Sequence, residues 1–254
     1  MKIKYTVIIQ ARLGSTRFPH KMVKKIGNQT IIEILIKRLK QSRLINNIIL
    51  ATTKKKHDDK LDLLARRNKI RVFRGSEDNV LERFYKASKS IESDYLIRIC
   101  GDCPLLDSTI IDKLIKINNK KKFDYLSNIN PPSFPDGFDV EIFSKKILKE
   151  AYLKAKSKYD KEHVTPYIIR KAKSKFNLKN SKDFSNLRLT IDEEKDFLVI
   201  NKIINKINKK NFGLSDIIKL KKQKPEIFKI NQELKRNEGS ILNKGQKLWS
   251  RAKN

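Results

Sequence analysis

Short apolar runs alternate with segments of helical spacing through the first half of the chain. Residues 5–10 (YTVIIQ) form a β-branched run with no polar alternation, the pattern of a strand buried on both faces. After a polar loop over 11–21, apolar residues recur at Ile31, Ile32, Leu35, Ile36 and Leu39, which lie on one face of a helix. Residues 48–52 (IILAT) predict a second strand and 61–67 a helix. A third short strand follows over 71–73, ended by Gly75, then a helix over 79–90. Residues 95–99 (YLIRI) read as the next buried strand, and 110–117 as a helix after Pro104. Strands and helices alternating at this pace predict an α/β fold of three layers, a mainly parallel sheet with helices on both faces.

The pattern changes from residue 124. Pro131, Pro132 and Pro135 lead to Gly137 and a strand-like run over 139–143, followed by helices over 146–156 and 162–172. Residues 187–191 (LRLTI) read as one more strand and 196–207 as an apolar helix. From about Pro225 the chain becomes polar without a strand signal. The expected organisation is one domain over 1–225, with 124–175 as a smaller lobe or insertion. Residues 226–254 read as a polar helical tail or a linker to a further domain.

Composition changes this picture little. A chain of 254 residues with 39% hydrophobic content can fill an α/β core. Its 59 Lys and Arg against 28 Asp and Glu give a net charge of +31, which raises nucleic acid or an anionic membrane surface as a partner. The excess is mostly Lys, spread along the whole chain without an Arg-rich block or interleaved aromatics. Only loose, non-specific nucleic-acid binding is expected. Cys100 and Cys103 cannot build a disulfide framework, which fits a reducing compartment. Their C-x-x-C spacing lacks the two further ligands of a zinc site, so packing is the expected role. Met1 leads straight into the first apolar run, and nowhere do 18 apolar residues stand together. A cytoplasmic protein without a membrane span is expected.

The loop after the first strand carries the densest chemistry: Gln10-Ala11-Arg12-Leu13-Gly14-Ser15-Thr16-Arg17-Phe18-Pro19-His20-Lys21. In open α/β sheets, ligands bind at the carboxyl ends of strands. Gly14 permits close backbone approach, Ser15 and Thr16 offer hydroxyls, and Arg12, Arg17 and Lys21 offer cations. These parts suit a polyphosphate. The spacing matches neither a Walker loop nor GxGxxG, and an ordinary polar βα loop remains the alternative.

This loop resembles the N-terminal signature of the sugar cytidylyltransferases: acylneuraminate cytidylyltransferase, CMP-Kdo synthetase and the spore-coat polysaccharide biosynthesis protein F family. Further similar stretches follow in order. They are residues 73–84 (FRGSEDNVLERF), 98–107 (RICGDCPLLD), 135–141 (PDGFDVE), 162–165 (EHVT) and 188–197 (RLTIDEEKDF). The resemblance spans about residues 3–210, with His20 standing where the family usually places Gly. It implies a nucleotidyltransferase fold and transfer of CMP from CTP to a sugar or sugar acid, in surface polysaccharide biosynthesis. It also implies a homodimer.

Asp102 and Asp192 each follow a predicted strand, where a carboxylate facing a phosphate loop suits Mg²⁺. The resemblance makes both metal ligands; helix capping is the alternative for each. Arg12, Gly14, Ser15, Arg17 and Lys21 are expected to hold the triphosphate, with Arg12, Lys21 and Asp102 as catalytic residues. Arg12 and Lys21 are both expected in an exposed loop. Ser76, Asp78 and Arg83 are candidates for the nucleotide pocket, and Asp139, Glu141 and His163 for the acceptor. Two other classes stay in view. One is a metal-dependent glycosyltransferase taking a nucleotide-sugar, against which the triphosphate-like loop counts; the other is a basic nucleic-acid-binding module.

Overall fold

The computed structural model describes residues 2–209 and 211–236. In chain order these form β1 (Tyr5–Gln10), β2 (Lys25–Ile26), β3 (Gln29–Thr30), α1 (Ile31–Leu39), β4 (Asn47–Thr53), α2 (Asp59–Arg67), β5 (Arg71–Gly75) and α3 (Val80–Lys89). There follow β6 (Tyr95–Cys100), α4 (Ser108–Lys121), β7 (Tyr125–Ser127), β8 (Glu141–Ser144), α5 (Lys145–Lys154), α6 (Lys158–His163) and α7 (Thr165–Lys171). Last come β9 (Lys175–Asn177), α8 (Glu194–Ile207), α9 (Leu214–Gln223) and α10 (Pro225–Lys229).

One seven-stranded sheet runs in the order β5-β4-β1-β6-β8-β7-β9. Its first four strands are parallel, as the strand–helix alternation predicts. β8 runs antiparallel to both β6 and β7, and β7 pairs in parallel with β9. The apolar runs split by parity between two cores. Val7 and Ile9 face the layer of α1, α4 and α8, whereas Ile8 faces the layer of α3, α5 and α7. Two buried faces explain why these strands show no polar alternation.

Local signals set several boundaries. Thr30 and Glu33 form a reciprocal capping box at the start of α1. Asp107 caps α4 through the Thr109 amide at 2.9 Å.

Four expectations change in the structure. Residues 187–191 form no sheet strand: this extended segment pairs with the loop before β8 and with the turn after β6. Its ties are Asp136 N to Leu187 O at 2.8 Å, Leu189 N to Asp136 O at 2.7 Å and Ile191 N to Asp102 O at 2.9 Å. The helix expected over 162–172 is two helices, because Val164 breaks it at φ 68, ψ −57. The stretch 124–175 builds no lobe apart from the sheet. It adds β7 and β8, whose Leu126 and Ile142 join one core while Tyr125 and Phe143 join the other. Finally, residues 226–236 pack on the domain, with Ile227, Phe228 and Asn231 buried. The rest of the expected tail, 237–254, lies outside the described residues.

Candidate active site

β1 and β6 are neighbours in register, with Gln10 opposite Cys100. The loop over 11–21 and the turn at 101–104 therefore leave the sheet side by side. Gly101 makes this closeness possible: a Cβ there would stand 2.9 Å from the Ala11 Cβ and 3.2 Å from Gln10 O. The loop is anchored from behind by Asp58, fully buried, which accepts the Leu13 amide at 2.8 Å. Its last residue before the 3-10 turn at Lys21–Val23 is His20, at φ 56, ψ 20. This is the left-handed region that favours Gly, so the Gly of the family signature that the loop resembles would suit this position.

The loop's path carries Lys21 inward. Its side chain is not exposed, contrary to expectation; the residue is 6% exposed, and its ammonium has three partners. Nζ donates to Asp102 Oδ2 at 2.9 Å, Asp192 Oδ1 at 2.8 Å and Ile191 O at 2.7 Å. Burial alone would lower the lysine's pKa, but the charges of Asp102 and Asp192 outweigh it and hold the ammonium above its ordinary value. Asp192 also meets Arg17 at 3.1 Å and Arg188 at 3.2 Å. Burial favours its neutral form, yet Lys21, Arg17 and Arg188 together keep its carboxyl below the usual range.

These groups open onto one cavity of about 940 Å³. Arg12, Gly14, Ser15, Arg17, Lys21, Asp78, Arg83, Asp102, His163 and Asp192 all line it, so ten of the thirteen residues singled out from the sequence converge there. Arg83 is 1% exposed, with Nη1 donating to the carbonyls of Ser76 and Glu77. Burial and then the nearby Arg12 bring its pKa down to about 10. Its buried Nε has no protein partner. His163 enters from α6, and burial pulls its imidazole below the usual pKa.

The structure places three residues elsewhere. Ser76 is a turn residue: its Oγ accepts the Asn79 amide at 3.0 Å. Glu141 is buried, both its oxygens taken by Arg98 Nη1 and by Tyr125 OH at 2.7 Å. Asp139 is held by Arg236. Cys100 and Cys103 are free thiols whose pKa burial raises, Cys100 to about 12 and Cys103 well above its ordinary value. Nucleophilic thiolate chemistry does not suit either.

The sequence reading missed Asp58, Glu77, Arg188 and the α6 lysines Lys158 and Lys161. Glu77 accepts Arg12 at 3.3 Å, and both lysines line the cavity. Arg188 had a legible signal: a cation inside the apolar run LRLTI, with aspartates four and eight positions on.

Chemically, the site presents cations on one loop and two carboxylates at adjacent turns, in a polar cavity. This is the equipment for holding a polyanion and placing charge around a phosphorus centre.

Comparison with solved structures defines the class. A cytidylyltransferase from Leptospira borgpetersenii superposes with a TM-score of 0.86 at 33% identity, covering 93% of this chain and all of that one. CMP:2-keto-3-deoxy-manno-octonic acid synthetase in complex with CTP shares the fold, with a TM-score of 0.62 at 12% identity over 80% of this chain and 99% of that one. The architecture is that of the α/β nucleotidyltransferases. Within that class, the family model for cytidylyltransferases matches residues 6–239, and the chain belongs to this family. Among curated relatives, the spore coat polysaccharide biosynthesis protein SpsF of Bacillus subtilis is 32% identical over 86% of this chain and 94% of its own length. An uncharacterized protein of Methanocaldococcus jannaschii is 39% identical over 92% of this chain and 96% of its own. Among the described residues, no helix is long and apolar enough to cross a membrane.

Proposed function

We propose that the protein is a CTP-dependent cytidylyltransferase that activates a sugar or sugar acid for surface polysaccharide biosynthesis. The observation that carries this reading is the convergence of Arg12, Arg17 and Lys21 with Asp102 and Asp192 on one cavity. In the reaction, a hydroxyl oxygen of the sugar bonds to the α-phosphorus of CTP as the bond from that phosphorus to the pyrophosphate oxygen breaks. The hydroxyl proton passes to solvent, leaving CMP-sugar and pyrophosphate.

Arg12 and Arg17 offer planar forks to phosphate oxygens, and Gly14 with Ser15 lets the backbone approach them. Arg83 and Asp78 stand on the wall expected to face the nucleoside. Such a transfer depends on positioning and charge neutralisation more than on covalent help.

The donor set fits Mg²⁺. Among the described residues no group of three or more His, Cys, Asp or Glu could hold a metal, but Mg²⁺ needs one or two carboxylates beside phosphate oxygens and water. Asp102 and Asp192 supply those two, each within hydrogen-bond reach of a single atom. When bound, the ion would draw charge from the phosphates and lower the pKa of a coordinated hydroxyl. Lys21 ties the two carboxylates together at the cavity wall and helps to keep the Asp192 carboxyl below its usual range. The proposed enzyme is a homodimer, as the family resemblance implies, in the cytoplasm, a reducing compartment that suits the free thiols of Cys100 and Cys103.

Pyrophosphate release measured with each of the four NTPs across simple sugars and sugar acids tests the reading. Release with CTP and at least one sugar is expected. Consumption of a nucleotide-sugar without any pyrophosphate from CTP would instead establish the glycosyltransferase alternative.

A further inference from the structure

Behind the cavity, Arg188, Asp196 and Asn231 form a buried cluster outside its wall. Arg188 directs Nε and Nη2 to the two oxygens of Asp196 at 2.9 and 3.0 Å. Its Nη2 also reaches Asp192 Oδ2 at 3.2 Å, and its Nη1 reaches Lys235 O at 2.9 Å. Asp196, fully buried, further accepts the amides of Asp192 at 2.9 Å and Glu193 at 3.0 Å. Asn231 closes the cluster from the C-terminal side, its Nδ2 donating to Asp196 Oδ1 at 2.8 Å and to Arg188 O at 3.2 Å. Both neighbours are acceptors, which settles the amide's orientation.

The cap of an ordinary helix requires only a side chain accepting backbone amides. Here the capping carboxylate is gripped from behind by two separate chain segments, and the same guanidinium continues to the carboxylate that faces the cavity. Arg236 then ties the end of the segment to Phe134 O at 3.1 Å and to Asp139. We infer that Asn231 is a positioning residue. Through Asp196 and Arg188 it fixes the turn over 191–193 so that Asp192 meets its ligand in one orientation. The segment 231–236, which the sequence presents as the start of a tail, is thus a brace of the active site.

The physical argument is one of tolerances. A metal or phosphate site needs its groups held within about 0.5 Å, and loss of an outer partner typically costs 10–100-fold in metal affinity. Without Asn231, Asp196 Oδ1 keeps the Arg188 Nε contact, and the guanidinium loses the constraint that aims Nη2 at Asp192.

This inference rests on the proposed role of Asp192, and the test separates the two. Mn²⁺ binding in the presence of CTP is followed by electron paramagnetic resonance, alongside the Mg²⁺ dependence of pyrophosphate release and thermal unfolding. The variants are Asn231→Leu, Asn231→Ser and, as a destabilised control far from the cluster, Ile147→Val in α5. Both Asn231 variants are expected to bind Mn²⁺ roughly tenfold more weakly. They should need correspondingly more Mg²⁺, with little change in KM for CTP at saturating metal. The Ile147 variant should melt earlier with wild-type metal dependence. Asn231 variants that melt earlier but keep wild-type Mn²⁺ affinity would overturn the inference, as would a wild-type protein that binds no Mn²⁺. Wild-type protein that binds Mn²⁺ and CTP yet releases no pyrophosphate would sink the proposed reaction, while the Mn²⁺ titration still decides the brace.

Discussion

Asp102 and Asp192, remote in sequence, accept hydrogen bonds from the same atom: Lys21 Nζ lies 2.9 Å from one and 2.8 Å from the other. A lysine so placed holds two like charges together that would otherwise repel, so the three residues form a single electrostatic unit.

Asp102→Asn and Asp192→Asn should each reduce turnover by orders of magnitude while lowering stability by only about 1 kcal/mol, since the amide keeps the size and some hydrogen bonding. The double variant should be scarcely worse than either single one, because members of a unit do not add. Steady-state kinetics at saturating Mg²⁺ measure this. Near-normal turnover in the Asp102 variant would return both aspartates to a purely structural role.

Lys21→Met and Arg12→Ala should differ in kind. Arg12, with a side chain 45% exposed, contributes little to the fold, so its loss should cost nucleotide affinity of about 1.5–3 kcal/mol and leave the unfolding midpoint nearly unchanged. Removing the buried Lys21 ammonium strands two carboxylates that are about one-fifth exposed, at a cost to stability of roughly 2 kcal/mol in addition to the lost binding. Urea unfolding and CTP titration on both variants separate the two effects. Equal stabilities would contradict the buried position of Lys21.

His20→Gly should stabilise the protein by about 0.5–1 kcal/mol, because His20 sits at φ 56 and Gly adopts that conformation without a Cβ penalty. A lowered melting temperature in this variant would mean that the His20 side chain contributes more than its backbone costs.

Asp136 supplies a pH test. Burial first, then the neighbouring Asp139, raises its pKa to about 7. Its unfolded value is about 3.9, so ionisation opposes folding: this contribution is greatest below about pH 4 and is lost as pH rises through about 7. Asp136→Asn does not titrate. Beyond a constant offset from the altered Arg188 contact at 3.5 Å, its stability relative to wild type should improve between those limits. The gain is on the order of 4 kcal/mol. Urea midpoints across the interval report it, and a flat difference would refute the assignment.

The sheet was legible because burial on both faces leaves unbroken apolar runs, as in β1, β4 and β6. The loop over 11–21 stood out as a candidate site because its glycine, hydroxyls and cations are contiguous, and it does line the cavity. Residues 187–191 misled for a physical reason: an apolar run specifies burial, and here burial comes between a loop and a turn instead of within the sheet. The helix break at Val164 was invisible, since a β-branched residue at positive φ contradicts local preference and is imposed by its surroundings. Arg188 and its aspartates stand close along the chain, but Asn231 lies too far from all of them for a local pattern to join it to the cluster. The Lys21 bridge was hidden for the same reason, although all three of its members were named.

Tethering the loop over 11–21 to the neighbouring turns through Lys21 has a thermodynamic corollary. The loop's conformational entropy is surrendered when the chain folds, and the arriving ligand meets a receptor already arranged. Association should therefore carry a small ordering penalty, and amide hydrogen exchange along the loop should be slow before any ligand is added.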